Sequence, residues 1–157
     1  CDTHPDIVTA TALAFQALSR NTSLLTSCFN RPVAGPGTKE IFYECAAYTI
    51  ASVVSGVSAV AAVQSAGGNH IEHISPLEAR FCAQLAHAVE GMSRKEADQI
   101  VIKIFDLYRD TLKKGLIGRP FSEVYDLDTL RPNPEWLQLY DEVCLEFEQE
   151  FSLRLRP

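Results

Sequence analysis

From Cys45 to Ile71 the sequence contains no Asp, Glu, Lys or Arg. A charge-free run of that length fits either the hydrocarbon of a bilayer or the interior of a protein, because charged side chains are absent from both unless paired. A spanning helix needs roughly 20 mostly apolar residues, with basic residues favoured at its cytoplasmic flank. This run is built of Ala, Ser, Val and Gly, holds Gln64 and Asn69, and is followed by no Lys or Arg before Arg80. It reads better as a helix followed directly by a fully buried strand, since strands covered on both faces show continuous apolar runs. No membrane segment is expected.

The surrounding sequence alternates in the same way. Thr3 and Asp6 have capping-box spacing around Pro5, which is tolerated in a first turn, and predict a helix to about Ser19. Its apolar face is read as Ile7, Ala10, Thr11, Ala14 and Leu18. Ser23 to Phe29 is a short uncharged run bounded by Asn21 and Pro32, and predicts a buried strand. After the turn-rich residues 33–38, Thr38 is the expected N-cap of a helix carrying Ile41, Phe42, Cys45, Tyr48, Thr49 and Ser52 and stopping near Gly56. Val57 to Gln64 is the second strand, closed by Ser65-Ala66-Gly67-Gly68-Asn69.

Helices then take over. Ser75-Pro76-Leu77-Glu78 is a capping box opening a helix with Leu77, Phe81, Leu85 and Ala88 inward and Gly91 as its stop. Ser93 with Glu96 opens another, expected to run to Gly115 with Ala97, Ile100, Val101, Ile104, Phe105, Tyr108 and Leu112 inward. Asn133-Pro134-Glu135 starts the last helix, with Leu137, Tyr140, Val143, Cys144 and Phe147 facing the core.

Alternating helix and buried strand is the signature of an α/β protein with a parallel sheet. Two such strands need sheet neighbours and helices on both faces, so the expected architecture is the C-terminal part of a larger α/β domain. Residues 1–92 would form its last βα units and residues 93–157 a helical extension packed on the same domain. The opening residue Cys1, with no secretory or transit pattern after it, fits part of a longer cytoplasmic protein. Five widely spaced Cys without a CxxC pair read as reduced, mostly buried thiols. The formal charge of −6, with no basic and aromatic cluster, argues against nucleic acid as a partner.

Arg31-Pro32-Val33-Ala34-Gly35-Pro36-Gly37-Thr38-Lys39 followed by Tyr43-Glu44-Cys45-Ala46-Ala47 resembles the monomethylamine methyltransferase family of methanogens. Ser65 to Gly68, Leu77 to Arg80, His87 to Met92 and Tyr125 to Leu127 are similar in order and spacing to the end of that family's chain. The resemblance implies a (β/α)8 TIM barrel, of which this chain supplies the last two strands and their helices. It implies transfer of the methyl group of monomethylamine to the Co(I) centre of a separate corrinoid protein, during methane formation. It also implies a homo-oligomer. The activating pyrrolysine of that family would lie upstream of Cys1, so the isolated chain is expected to be inactive and to bind no cofactor itself; the corrinoid (cobalamin) is carried by the partner. Two other readings stay open: a dimethylamine or trimethylamine corrinoid methyltransferase, and a non-catalytic α/β module docking on another subunit.

Barrel enzymes place their chemistry at the C-terminal ends of the strands. Asn30 and Arg31, past Phe29, and Gln64, past Val63, are therefore the candidate substrate-binding residues, with Ser65 and Asn69 nearby. Asn30 and Gln64 are suited to positioning a substrate, whereas Arg31 cannot act as a base. Other signals read as structural. Gly35-Pro36-Gly37-Thr38-Lys39 lacks the spacing of a phosphate-binding loop and reads as a tight strand-to-helix turn. His70-Ile71-Glu72-His73 has no third and fourth metal ligand at familiar spacing. His87 reads as a packed or capping residue, Cys28 as a buried inert thiol, and Arg94-Lys95 and Lys113-Lys114 as solvated charge.

Overall fold

The computed structural model describes residues 2–155. Its elements are α1 (Pro5–Asn21), β1 (Ser27–Asn30), α2 (Glu40–Val54), β2 (Ala59–Val63), a short 3-10 turn (Ala66–Gly68), α3 (Pro76–Ala88) and α4 (Arg94–Tyr108). After them come the single turn α5 (Phe121–Val124), the two-residue strands β3 (Tyr125–Asp126) and β4 (Arg131–Pro132), and α6 (Pro134–Phe151). The fold is helix-rich α/β, as expected of a C-terminal piece of a (β/α)8 barrel.

The charge-free run is explained by α2. Ile41, Phe42, Cys45, Ala46, Ala47 and Ile50 are buried, and so are Tyr43, Glu44, Tyr48 and Thr49, so the helix is enclosed on every side. It packs against α1, α3, α4 and both long strands. A helix that is apolar all round belongs in a core, and no helix among the described residues is long and apolar enough to cross a membrane. Phe42 centres an aromatic cluster, its ring centroid 5.1 Å from that of Phe81 on α3 and 5.0 Å from that of Trp136 on α6.

β1 and β2 pair in parallel, with Cys28 opposite Val60 and Asn30 opposite Val63. Ala61 is an extra residue on β2, since Phe29 pairs with Ala62, and the register shift makes a bulge there. The expectation of fully buried strands needs correction. Cys28, Asn30 and Val63 are buried beneath the helices, but Ser27, Phe29, Ala59 and Ala61 lie exposed on the opposite face. The continuous apolar sequence is what two covered faces require, and this chain's own helices cover one. The first strand also starts later than predicted, leaving Leu24 and Leu25 exposed.

Other boundaries and faces differ in detail. The α1 cap is His4, whose Nδ1 accepts from the Asp6 N–H, while Thr3 is buried and turned to another partner. Helix α1 buries Val8 and Phe15, not the Ile7, Ala10 and Ala14 stripe, because these two share one face two turns apart and that face meets Cys28 and Tyr48. The Thr38 hydroxyl donates to the Gly35 carbonyl, and α2 begins at Glu40 after Lys39. Both later capping signals hold: Ser75 and Glu78 form a full capping box, and the Ser93 hydroxyl accepts from the Glu96 N–H. Helix α4 ends at Tyr108, with turns from there to Lys114. In α6 the buried face is Trp136, Tyr140, Val143 and Phe147; Leu137 is exposed and Cys144 half-buried. Cys28, Cys45 and Cys82 are free buried thiols, and Cys1 lies outside the described residues.

Candidate functional site

The site is the C-terminal edge of the β1–β2 sheet, where the chain leaves each strand. The Gln64 N–H donates to the Asn30 carbonyl at 2.7 Å, which extends the ladder one step and sets the three candidate residues side by side. Alternation then separates them. Asn30 is buried on the helix side, where its Nδ2 donates to the Cys45 carbonyl at 3.1 Å and to the Thr49 hydroxyl at 3.2 Å, and lies 3.7 Å from the Cys82 sulfur. Its Oδ1 finds no partner in that layer. Arg31 and Gln64 are exposed beside the open face that carries Phe29. The Arg31 Nε donates to Asp2 at 2.7 Å, a half-exposed ion pair that holds the guanidinium at the sheet edge.

Two buried carboxylates fix the segments that follow the strands. Glu44, on α2, accepts from the Val33 and Ala34 N–H groups at 2.7 and 3.0 Å and from the Thr3 hydroxyl at 2.5 Å. It thereby anchors the segment leaving β1. Glu78, on α3, accepts from the Ser65 hydroxyl and the Ser75 N–H, both at 3.0 Å, and from the Ser75 hydroxyl. It anchors the segment leaving β2. Neither carboxylate takes part in an ion pair among the described residues. Burial therefore dominates both: it raises the Glu44 carboxyl above its ordinary value against the three donors, and it pushes Glu78 up to about 7.

Sequence reasoning missed Glu44. The available signal was a carboxylate between Tyr43 and Cys45 on a helix apolar on every face, a place where charge survives only if it is hydrogen-bonded. Glu78 was recognised as half of a capping box, but its bond to Ser65 was not visible.

The remaining candidates have structural placements. The Gly35-Pro36-Gly37 turn has no free cradle: the Gly35 N–H donates to the Leu116 carbonyl and the Pro36 carbonyl accepts from the Arg119 N–H, each at 2.8 Å. A Cβ on Gly35 would lie 1.8 Å from the Ile117 oxygen, so glycine is required by the close approach of residues 116–118. His70 and His73 have rings 5.5 Å apart, but no group of three metal-ligating side chains forms among the described residues. Asn69 is exposed, and Ser65 is buried on Glu78. His87 is exposed on α3 instead of packed. Cys28 faces the helices with its thiol pushed up by burial, a setting for an inert cysteine. Arg94 is not merely solvated, since it donates to Gln16 of α1 at 3.1 Å.

The comparisons with known proteins agree with this frame. Residues 2–151 match the family described as monomethylamine methyltransferase MtmB. Monomethylamine methyltransferase MtmB2 of Methanosarcina acetivorans is 30% identical over 144 residues, which are 92% of this chain and 31% of that protein. MtmB1 of Methanosarcina barkeri is 31% identical over 128 residues, 82% of this chain and 28% of its own length. The crystal structure of the Methanosarcina barkeri enzyme superposes with a TM-score of 0.92 at 28% identity, over 97% of this chain and 33% of that one. A crystal structure of a hydroxylamine complex of MtmB matches equally well. The chain thus spans about a third of the length of the relatives it matches. With the sequence and the fold both aligned along nearly its whole length, the chain belongs to the monomethylamine methyltransferase MtmB family.

Proposed function

We propose that this chain is the C-terminal part of a cytoplasmic (β/α)8 barrel methyltransferase that moves the methyl group of monomethylamine to the Co(I) centre of a corrinoid protein. The C–N bond breaks with its electron pair going to nitrogen, which takes up one proton and leaves as ammonia, while the electron pair of the acceptor Co(I) forms the C–Co bond. The observation that carries this reading is the sheet with one face closed by its own helices and the other open, in a chain of the MtmB family. An open face with Phe29 on it and polar residues at its C-terminal edge is what the inner wall of a barrel mouth requires. The pyrrolysine upstream supplies the electrophilic chemistry that an amine, as a poor leaving group, needs. The residues here position: Gln64 and Arg31 reach the open edge as substrate contacts, and Asn30 fixes the strand end from behind. The partners are the corrinoid protein, docked over the barrel mouth, and further copies of the same subunit.

The test is a methyl-transfer assay on the full-length protein containing this segment, made with pyrrolysine supplied. Monomethylamine and reduced corrinoid protein are mixed with it, and methylation of the corrinoid is followed by absorbance. Transfer by the full-length protein and none by the isolated chain is the expected result. Failure of both would refute the reading.

A further inference from the structure

Glu78 does more than cap a helix. Its Oε1 takes two donors, the Ser65 hydroxyl and the Ser75 N–H, and its Oε2 takes the Ser75 hydroxyl. The Ser75 oxygen in turn accepts from the indole N–H of Trp136 at 3.0 Å. One carboxylate thus ties together the residue that follows Gln64, the start of α3 and the first turn of α6. The titratable groups around it among the described residues are Cys45 on α2, Cys82 on α3 and Tyr125 on β3, each sensing its charge, and beyond them Arg80 of α3 acts on Tyr125. The Cys45 thiol and the Tyr125 phenol are raised by burial, so both are uncharged around neutrality; the Cys82 thiol is lowered chiefly by a hydrogen bond from Cys45, and negative charge on it would repel a charge on Glu78.

We propose that Glu78 is a positioning residue whose charge state sets the order of the segment leaving β2: ionised, it clamps Ser65 and so holds Gln64 at the sheet edge, and protonated, it releases that clamp. The chemistry follows from the donor count. A proton from solvent added at Oε2 turns that oxygen from acceptor into donor, so its bond with Ser75 reverses. The Ser75 oxygen, which already accepts from the Glu78 N–H of the capping box and from the Trp136 N–H, then meets the Glu78 O–H as a third donor. One of the three must give way, and its own hydrogen must turn to another acceptor, for which the neighbouring Tyr125 phenol is at hand. The bonds from Ser65 and from the Ser75 N–H lose their charge assistance, which is about half their strength. The Ser65 tie is the weakest to keep, because residues 66–68 form only one 3-10 turn with backbone bonds to Pro32 and Ala34. That the carboxyl sits at about 7 places the change within an ordinary pH range.

Trp136 is the chain's one tryptophan and is bonded to the responding hydroxyl, so its fluorescence reads the switch directly. In the 157-residue chain, the emission of Trp136 is followed against pH, together with hydrogen exchange of residues 64–69 corrected for its intrinsic pH dependence. The wild-type chain is expected to show a fluorescence transition near neutrality, with exchange of residues 64–69 on the order of tenfold faster on the acid side. Glu78→Gln should abolish the transition and exchange fast at both extremes. Ser65→Ala, a milder change, should keep the Trp136 transition while residues 64–69 exchange fast throughout. A transition that survives in Glu78→Gln, or exchange of residues 64–69 indifferent to pH in the wild type, would overturn the inference. The role of Gln64 as a substrate contact rests on the proposed reaction; neither readout depends on it, so failure of one leaves the other standing.

Discussion

Replacing Glu44 by Ala removes one acceptor from three donors, and the cost can be worked from their burial. The Ala34 N–H and the Thr3 hydroxyl are enclosed, and the Val33 N–H is half-buried. A buried donor left without a partner costs about 1–3 kcal/mol, and a partly solvated one costs less. Against this stands the relief of a carboxylate held in the core without a cation, which the raised proton affinity of Glu44 records. The net loss should be about 3 kcal/mol, or roughly 6–12 °C in melting temperature for a chain of this size. Glu44→Gln keeps one acceptor oxygen, which at the Oε2 position still takes the Val33 N–H and the Thr3 hydroxyl but turns the amide NH2 towards the Ala34 N–H; its loss should be about 2 kcal/mol. Urea unfolding followed by circular dichroism, with slopes compared to confirm a common transition, measures both. If Glu44→Ala stays within about 0.5 kcal/mol of wild type, or Glu44→Gln is the worse of the two, Glu44 is not the anchor of the segment leaving β1.

Four further outcomes are expected. Burial raises the Glu78 carboxyl from 4.5 to about 7 although its bonds to Ser75 and Ser65 act the other way, so the fold as a whole favours the proton-bound form while the Ser65 tie by itself favours the ionised one. The stability this net shift contributes is full below about 4.5 and is lost as pH rises through 7. Wild type should therefore lose about 3 kcal/mol more than Glu78→Gln between about pH 4 and pH 8.5, and parallel stability profiles would contradict this. Gly35→Ala forces a Cβ into the Ile117 oxygen and breaks the backbone bonds from Gly35 to Leu116 and from Arg119 to Pro36, for a loss of about 2–3 kcal/mol by urea midpoint. Gly91→Ala, with nothing within 4 Å, should lose only the about 1 kcal/mol of its positive φ. Phe29→Ser should change the stability of this chain by under about 1 kcal/mol, since the ring is 42% exposed, but that of the full-length protein by about 3 kcal/mol, where a barrel interior covers it. Equal effects in the two settings would show that the open face stays open.

What could be read from the sequence was set by local chemistry. The boxes at Ser75-Glu78 and Ser93-Glu96 were legible because a cap and its partner are three residues apart and independent of everything else. Helix α2 was legible because an enclosed helix has no polar side to confuse its limits. The face of α1 was not: with Ile7, Val8, Ala10, Ala12, Leu13, Ala14 and Phe15 all apolar, its buried side is chosen by the shape of the neighbouring surface. The strands were recognised but not their exposure, since an apolar run records the faces a strand is built to cover and not which segment covers them. At the site, Asn30, Arg31 and Gln64 were found by position, yet which of them turns towards the helices depends on the register and the bulge at Ala61. Glu44 stayed hidden because its donors lie 10, 11 and 41 residues away in sequence.

The two carboxylates also explain how so small a sheet can present a defined edge. A segment leaving a strand must satisfy its backbone donors, and it can do so with groups on the open side or on the helix side. Here the N–H groups of Val33 and Ala34 turn back to Glu44, and the hydroxyl of Ser65 turns back to Glu78, both carried by the helix layer. Charged acceptors hold these groups more tightly than amides or hydroxyls would, at a desolvation cost that the surrounding core must offset. The open side is then relieved of any structural duty at the strand ends, so Gln64 can point there without losing a bond the fold needs. Arg31 is held by its pair with Asp2, which solvent screens, and can exchange that carboxylate for another anionic or polar group at small cost. Binding groups on the open face and anchoring groups in the helix layer are thereby separated residue by residue along the same two strands, which is the condition for altering a ligand contact without unfolding the edge that presents it.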